Sequence, residues 1–283
     1  MGRSEHERMS ASMRGKRAGV CTVNVGNTHA SIVRWRANGT SDGNFVWKTH
    51  AEVPGFVLRF LGPAVSAGAP LVLAGVVPVY VAKLSRHFAR QGWRVLRFRR
   101  EVPAPLRIMP RPEKKVGDDR VAGALGALAL FPTQPCVVVD FGTAVTINAV
   151  TPGRGRAMPR FEGGLIFPSE ALNLKALHQF TAVLPRLAPE RDFNPCKAAF
   201  IGRDTEEAMR LGVAHAQLAA AAQLAHGQAQ QLGPRTRVVV TGGGMAEHLE
   251  YCFCSLFPKN ARVCSQLVHL GLFSAWKAAR DGT

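Results

Sequence analysis

The sequence has no uninterrupted apolar run of the roughly 20 residues needed to cross a bilayer, so no membrane partner is expected. Its opening stretch, MGRSEHERMSASMRGKRAG, lacks the apolar segment of a secretory signal and reads as a flexible basic tail over residues 1–18. Nine histidines include no HxxxH or HExxH pattern, and no GxxxxGK[ST] phosphate loop occurs, which disfavours zincin and P-loop mechanisms. The six cysteines form no CxxC pair, and Cys252-Phe-Cys254 has no partnering Cys or His at zinc spacing. Most sit in apolar segments, where a thiol behaves as a small hydrophobe, so a reducing cytoplasm is expected. Acidic residues are also few: 19 against 36 Lys and Arg, a net charge of +17. The basic residues are spread along the chain and rarely interleave with aromatics, which argues against nucleic acid as the main partner. A basic surface that attracts phosphorylated small molecules fits the same charge.

What is present is an alternation of β-branched runs, glycine turns and alanine-rich helical stretches. At 283 residues the chain is long enough for two domains. GVCTVNV and ASIVRWR read as a hairpin, LVLAGV as a buried strand, and PVYVAKLSRHFARQG as a helix with Pro78 in its first turn and Gly92 at its stop. RVLRF is the next strand. This βα alternation predicts mixed sheets with covering helices. EVPAPLRIMPRPEKK carries four prolines and predicts an extended connection. A helix beginning near Asp118 or Asp119 follows, then the strand, turn and strand of CVVVDFGTAVTINAV. RFEGGLIFPSEALNLKALHQF predicts a Gly-Gly turn, a short strand and a helix. The longest helix starts at an Asp204 cap with Glu207 completing a capping box and stops at Gly233-Pro234. RVVVTGGGMAEHL predicts a strand, a glycine turn and a helix start.

One pattern occurs twice. Val23-Asn24-Val25-Gly26-Asn27-Thr28 and Val139-Asp140-Phe141-Gly142-Thr143-Ala144 both read apolar, Asx, apolar, Gly, polar, small. Such a repeat predicts two similar domains facing each other across a ligand cleft. Backbone N–H groups in a glycine turn form a concave anion site, to which a Thr hydroxyl adds a donor. An ordinary hairpin uses the same residues, and it is the pairing of the two turns that favours phosphate. Asp118-Asp119-Arg120 has two readings: an acidic helix start, or a carboxylate that accepts a proton from a substrate hydroxyl beside an anion-holding arginine. Asp140 likewise either bonds its own turn or binds a cation beside phosphate oxygens.

In order, these pieces resemble the type III pantothenate kinases of the acetate and sugar kinase, heat-shock ATPase and actin superfamily. NVGNT at Asn24–Thr28 is similar to the family's DVGNT, GDDR at Gly117–Arg120 to GADR, and DFGTAVT at Asp140–Thr146 to DxGTAxT. GGLIFPS at Gly163–Ser169, Ala176-Leu177, TAVLP at Thr181–Pro185, GRDT at Gly202–Thr205 and TGG at Thr241–Gly243 continue the series. The resemblance implies an α/β fold of two ribonuclease-H-like, actin-like ATPase domains, here residues 19–117 and 118–283. It implies a cytoplasmic homodimer that phosphorylates pantothenate with ATP at the start of coenzyme A synthesis. ATP would meet Asn24, Val25, Gly26, Asn27, Thr28, His29, Ala30 and Ser31 of the first loop and Thr143 of the second. Asp119 would accept the proton, and pantothenate would meet Gly117, Asp118, Asp119, Arg120 and Thr205, the last from the neighbouring subunit. Asp140 would hold a monovalent cation, potassium or ammonium, while magnesium accompanies ATP.

Four residues depart from that pattern. Asn24 replaces an acid and removes a charge that would help hold hydrated magnesium; Asp118 replaces Ala and adds charge beside the base. The tyrosine usual before GADR has no counterpart in LRIMPRPEKK, and Ser169 replaces a Gly. These departures motivate an alternative: a catalytically weakened kinase-like regulator that binds nucleotide or a pantothenate-like ligand.

Overall fold

The computed structural model describes residues 19–41, 46–49, 53–55, 68–190, 194, 198–242, 257 and 261–282. The basic stretch 1–18, Gly243 and Gly244 of the third glycine turn with the helix start expected after them, and Cys252 and Cys254 lie outside these residues. In chain order the elements are β1 (Val20–Val25), β2 (His29–Trp35), β3 (Val46–Thr49), β4 (Leu71–Gly75), α1 (Pro78–Arg90), β5 (Val95–Arg97), β6 (Arg107–Ile108) and α2 (Asp118–Leu130). There follow β7 (Cys136–Phe141), β8 (Ala144–Thr151), β9 (Arg160–Pro168), α3 (Glu170–Gln179), α4 (Thr205–Leu232), β10 (Arg237–Gly242), β11 (Arg262–Val263) and α5 (Leu267–Asp281).

All six residues of β1 are buried, as are four of the six in β7 before its chain reaches Asp140. Strands covered on both faces lose the polar alternation of a half-exposed strand, which in β7 gives the unbroken apolar run Cys136–Val139, whereas β1 buries two polar residues, Thr22 and Asn24. The two sheets share one topology. In the first, of order β3-β2-β1-β4-β5, β1 pairs antiparallel with β2 and parallel with β4. In the second, of order β11-β10-β7-β8-β9-β6, β7 pairs antiparallel with β8 and parallel with β10. Reading β9-β8-β7-β10-β11 against β3-β2-β1-β4-β5 superposes the connectivity strand for strand. The sequence repeat therefore marks a repeated fold unit.

Two compact units result, and neither is a single stretch of chain: one holds residues 1–104, 117–122 and 268–283, the other 105–116 and 123–267. This differs from the contiguous division at 117/118 expected from the sequence, because most of α5 and the first turn of α2 belong with the first sheet. The core of the first unit gathers Val23, Val25, Ile32, Leu71, Leu73, Leu84 and Phe88; that of the second gathers Val137, Val139, Ile147, Leu218, Val238 and Val240. Each fully buried Val, Leu, Ile or Phe stabilises its unit by roughly 1.5–3 kcal/mol.

Two local expectations change. The proline-rich connection contains the short strand β6, which pairs parallel with β9 through Arg107↔Arg160 and Ile108↔Phe161. Gly163-Gly164 is no turn: β9 runs straight through it. A Cβ at Gly164 would stand 2.1 Å from the Ile147 carbonyl oxygen, Gly163 has φ +130, and the β8–β9 register slips between Ala149 and Val150. The glycines admit a bulge and a close strand approach, where a side chain would not fit. The longest helix follows its signals: Asp204 accepts from Glu207 N–H at 2.8 Å, and Gly233 closes α4 at φ 105.

Candidate active site

In the first unit three chain segments meet. β1 ends at Val25, β4 ends at Gly75 opposite it, and Val76 N–H donates to the Val25 carbonyl at 2.9 Å. The Gly26 turn closes with Gly26 N–H on the His29 carbonyl at 2.9 Å, leaving Asn27, Thr28 and His29 exposed and Ala30 and Ser31 buried. The first turn of α2 abuts the same strand end: a Cβ at Gly117 would lie 2.6 Å from Asp119 Oδ1 and 3.2 Å from Val76 Cγ1. Only glycine leaves room there for the carboxylate. The structure thus brings the Asn24–Ser31 segment and the Gly117–Arg120 segment together.

Asp119 Oδ1 accepts from the backbone N–H of Arg120 at 2.7 Å. Burial raises the Asp119 carboxyl above its ordinary range, against the pull of that N–H and of the Arg120 guanidinium. Burial also lowers Arg120, which Asp119 opposes. Burial likewise raises Asp118, opposed by Arg99 and the Gly75 N–H. A partly desolvated carboxylate whose affinity for a proton is raised is what a proton acceptor needs.

Asn24 is 8% exposed, and its Oδ1 has no hydrogen-bond partner. It stands opposite Ser31 in the β1–β2 register. Ser31 is braced from behind by a residue that the sequence did not single out: His269 of α5, 1% exposed, whose Nε2 lies 2.8 Å from Ser31 Oγ and whose Nδ1 lies 2.8 Å from Thr22 Oγ1. Thr22 also accepts from Trp35 Nε1 at 3.0 Å. Burial lowers His269 to about 3, so the ring is neutral and joins the two hydroxyls with one donor and one acceptor. A lone histidine in an apolar helix carries no sequence signal for this bridge.

In the second unit, Asp140 is half-buried, and Gly142 and Thr143 are exposed. Asp140 pairs with Thr146 across the hairpin and with Thr241 in β10. Ser169, where the family pattern has Gly, donates from Oγ to the Thr143 carbonyl at 2.7 Å and caps α3 by accepting from Leu172 N–H. This departure therefore ties the second turn to a helix. Thr205 lies at the first turn of α4, where it lines a cavity of about 560 Å³ with Asn173, Leu177, Leu184 and Met209. Among the described residues no group of three His, Cys, Asp or Glu could hold a metal.

Two repeated mixed sheets, each with a glycine turn after an Asx-bearing central strand, make up an α/β fold that recurs among solved structures. Among solved structures, a protein named for the Baf family of transcriptional activators from Campylobacter jejuni matches over 93% of this chain and all of its own, with a TM-score of 0.57 and 17% identity. The ethanolamine utilization protein EutJ from Carboxydothermus hydrogenoformans matches over 91% of this chain and 90% of its own, with a TM-score of 0.53 and 14% identity. Those likenesses speak for the fold. The type III pantothenate kinase family profile matches residues 21–227. Type III pantothenate kinases from Caulobacter vibrioides and Phenylobacterium zucineum are 32% and 34% identical, each over 75% of this chain and over 77% and 78% of their own lengths. The chain belongs to the type III pantothenate kinases.

Proposed function

We propose that the chain transfers the γ-phosphoryl group of ATP to the 4′-hydroxyl of pantothenate, the first step of coenzyme A biosynthesis, with Asp119 as proton acceptor. The observation that carries this reading is the placement of Asp119 and Arg120 at the half-buried first turn of α2, against the strand ends that shape the Gly26 turn, in a member of this family. The hydroxyl oxygen attacks the γ-phosphorus, the bond to the bridging β,γ-oxygen breaks, ADP leaves, and the hydroxyl proton passes to Asp119. In a loose phosphoryl-transfer transition state the proton moves late, so Asp119 acts chiefly by orienting the hydroxyl. Arg120 holds the pantothenate carboxylate, with Gly117 and Asp118 beside it. The segment Asn24–Ser31 and Thr143 hold the phosphates through backbone N–H groups and hydroxyls.

Magnesium bound with ATP draws off phosphate charge. Asp140 is the carboxylate placed to take a cation, in this reading potassium or ammonium, and the buried Oδ1 of Asn24 offers a neutral acceptor to the magnesium hydration shell.

Thr205 reaches pantothenate from a second copy of the chain. Large exposed apolar side chains in the segments that flank α3 and precede α4 support such a dimer: Phe180, Val183, Phe200 and Ile201 are 77–87% exposed in the single chain. Phe180→Asp should convert the dimer to monomer in sedimentation, and an unchanged sedimentation coefficient would refute the assignment of that surface. No helix among the described residues is long and apolar enough to cross a membrane, and cytoplasmic work on soluble metabolites completes the reading.

ADP release that depends on pantothenate, in magnesium and potassium, is the test; absence of turnover at high enzyme concentration would overturn it. Asp119→Asn should lower kcat by roughly 10²–10⁴-fold. The neutral Asn24 in the place of an acid, with no tyrosine before Gly117, favours a second reading, a weakened kinase that senses nucleotide or a pantothenate-like ligand. It predicts nucleotide binding with negligible turnover, and a rate typical of a metabolic kinase refutes it.

A further inference from the structure

Asp118 is where the first turn of α2 departs from the family's GADR, and its charge is met within the unit. Arg99 Nη1 donates to Asp118 Oδ1 at 3.3 Å, with the two side chains 18% and 24% exposed. A Cβ at Gly117 would stand 3.2 Å from Val76 Cγ1, and Val76 N–H donates to the Val25 carbonyl, so the start of α2 packs at the end of β4 beside the Gly26 turn.

Arg99 comes from the tight turn after β5 and, at φ 60, is the one non-glycine residue with positive φ among the described residues. That conformation strains a side-chain-bearing residue. The turn around it is closed by Arg99 N–H on the Val102 carbonyl at 2.7 Å and Arg97 N–H on Glu101 Oε2 at 2.8 Å. Its neighbour Arg100 pairs with Glu101 at 3.2 Å. Within the RFRR run, the left-handed turn is what sends one guanidinium to Asp118.

We infer that Arg99 is a positioning residue for Asp119: it takes up the charge of Asp118 and holds the first turn of α2 against β4, so that Asp119 presents the carboxylate that meets the substrate. The charged groups facing Asp119 are Asp118 and Arg120 on its own helix and, through Asp118, Arg99 from the β5 turn. The inference rests on the reading of Asp119 as proton acceptor. It explains how an acidic substitution beside that residue is tolerated: a like charge would hinder ionisation of Asp119 and repel an anionic substrate, and the paired arginine offsets it.

Two measurements on the full chain test the inference: kcat/KM for pantothenate, and the titration of the Asp119 carboxyl carbon by NMR. Arg99→Gln should lower kcat/KM roughly tenfold and move the Asp119 titration to higher pH. Arg99→Gln combined with Asp118→Ala should recover about fivefold or more of the lost rate and return the titration toward wild type, the non-additivity expected of residues in contact. Arg99→Lys, which keeps the charge and the long stem, should fall between wild type and Arg99→Gln. A double variant no better than Arg99→Gln overturns the inference, as does an Asp119 titration indifferent to residue 99. If the wild type shows no turnover while its Asp119 titration follows the charge at 99 and 118, the kinase reading fails and the pairing stands. If that titration is also indifferent, both fail.

Discussion

The two glycine turns are built alike and charged differently. Each follows a central strand, closes an antiparallel hairpin and lies beside a parallel neighbour, yet the first carries Asn24, buried with an unpartnered oxygen, and the second carries Asp140, half-buried and ionisable. Each is also braced from outside its hairpin by a different device. A neutral buried histidine holds Ser31 behind the first turn, and the cap of α3 holds the Thr143 carbonyl behind the second. The lesson is that a repeated fold unit keeps the geometry of a glycine turn while letting its charge vary between copies. In the proposed function the cation role falls to the copy that carries Asp140.

The sharpest way to break the comparison is to make the second turn as neutral as the first. Asp140→Asn should cost roughly 10²–10³-fold in kcat, with monovalent-cation activation abolished; retention of potassium activation would show that the cation is held elsewhere.

The brace of the first turn comes next. His269→Leu strands the buried Ser31 hydroxyl and removes one of the partners of Thr22, and should lower unfolding stability by about 1–3 kcal/mol, read from urea melts. Its pH dependence follows from a folded value of about 3 against an ordinary 6.5. Folding favours the neutral ring, so its stabilisation is complete above pH 6.5 and is lost as pH falls toward 3. Between about pH 6 and 4 the wild type should lose roughly 1.4 kcal/mol more per pH unit than His269→Leu. Parallel curves would mean that His269 remains neutral in the unfolded chain or charged in the folded one.

Making the first turn as acidic as the second is a smaller change. Asn24→Asp should lower the KM for magnesium–ATP by roughly three- to tenfold, on the scale of a single charge interaction, while lowering the melting temperature of the ligand-free protein, because an unpaired carboxylate is buried. An unchanged KM would show that this position does not meet the metal.

The smallest effect is expected at the brace of the second turn. Ser169→Ala removes the α3 cap and the bond to Thr143, at about 1 kcal/mol, and should raise the KM for ATP while leaving kcat nearly constant. A fall in kcat with constant KM would place Ser169 in the chemistry instead.

Much of this comparison is legible in the residue order. The doubled Asx-apolar-Gly pattern, the acid-led start of α2 and the Asp204–Glu207 signature depend on short-range backbone chemistry, which a linear reading captures. The Gly163-Gly164 pair misleads for the opposite reason. Glycine serves equally in turns and in close strand approaches, and only the 2.1 Å that a Cβ at Gly164 would leave to the Ile147 oxygen distinguishes them. Arg99 and His269 carry no local mark at all. One is an arginine among others in RFRR and the other a histidine in an apolar helix, and their partners lie 19, 238 and 247 residues away in sequence.

By itself, the sequence determined the repeated turns, the helix that begins at Asp118, and membership of a kinase family, because backbone hydrogen bonding and glycine placement act between near neighbours. The tertiary structure alone decided that Asp118 faces Arg99, that His269 supports Ser31, and that the compact units are assembled from separated stretches. Those contacts depend on burial and charge pairing among residues that meet only after the sheets have formed.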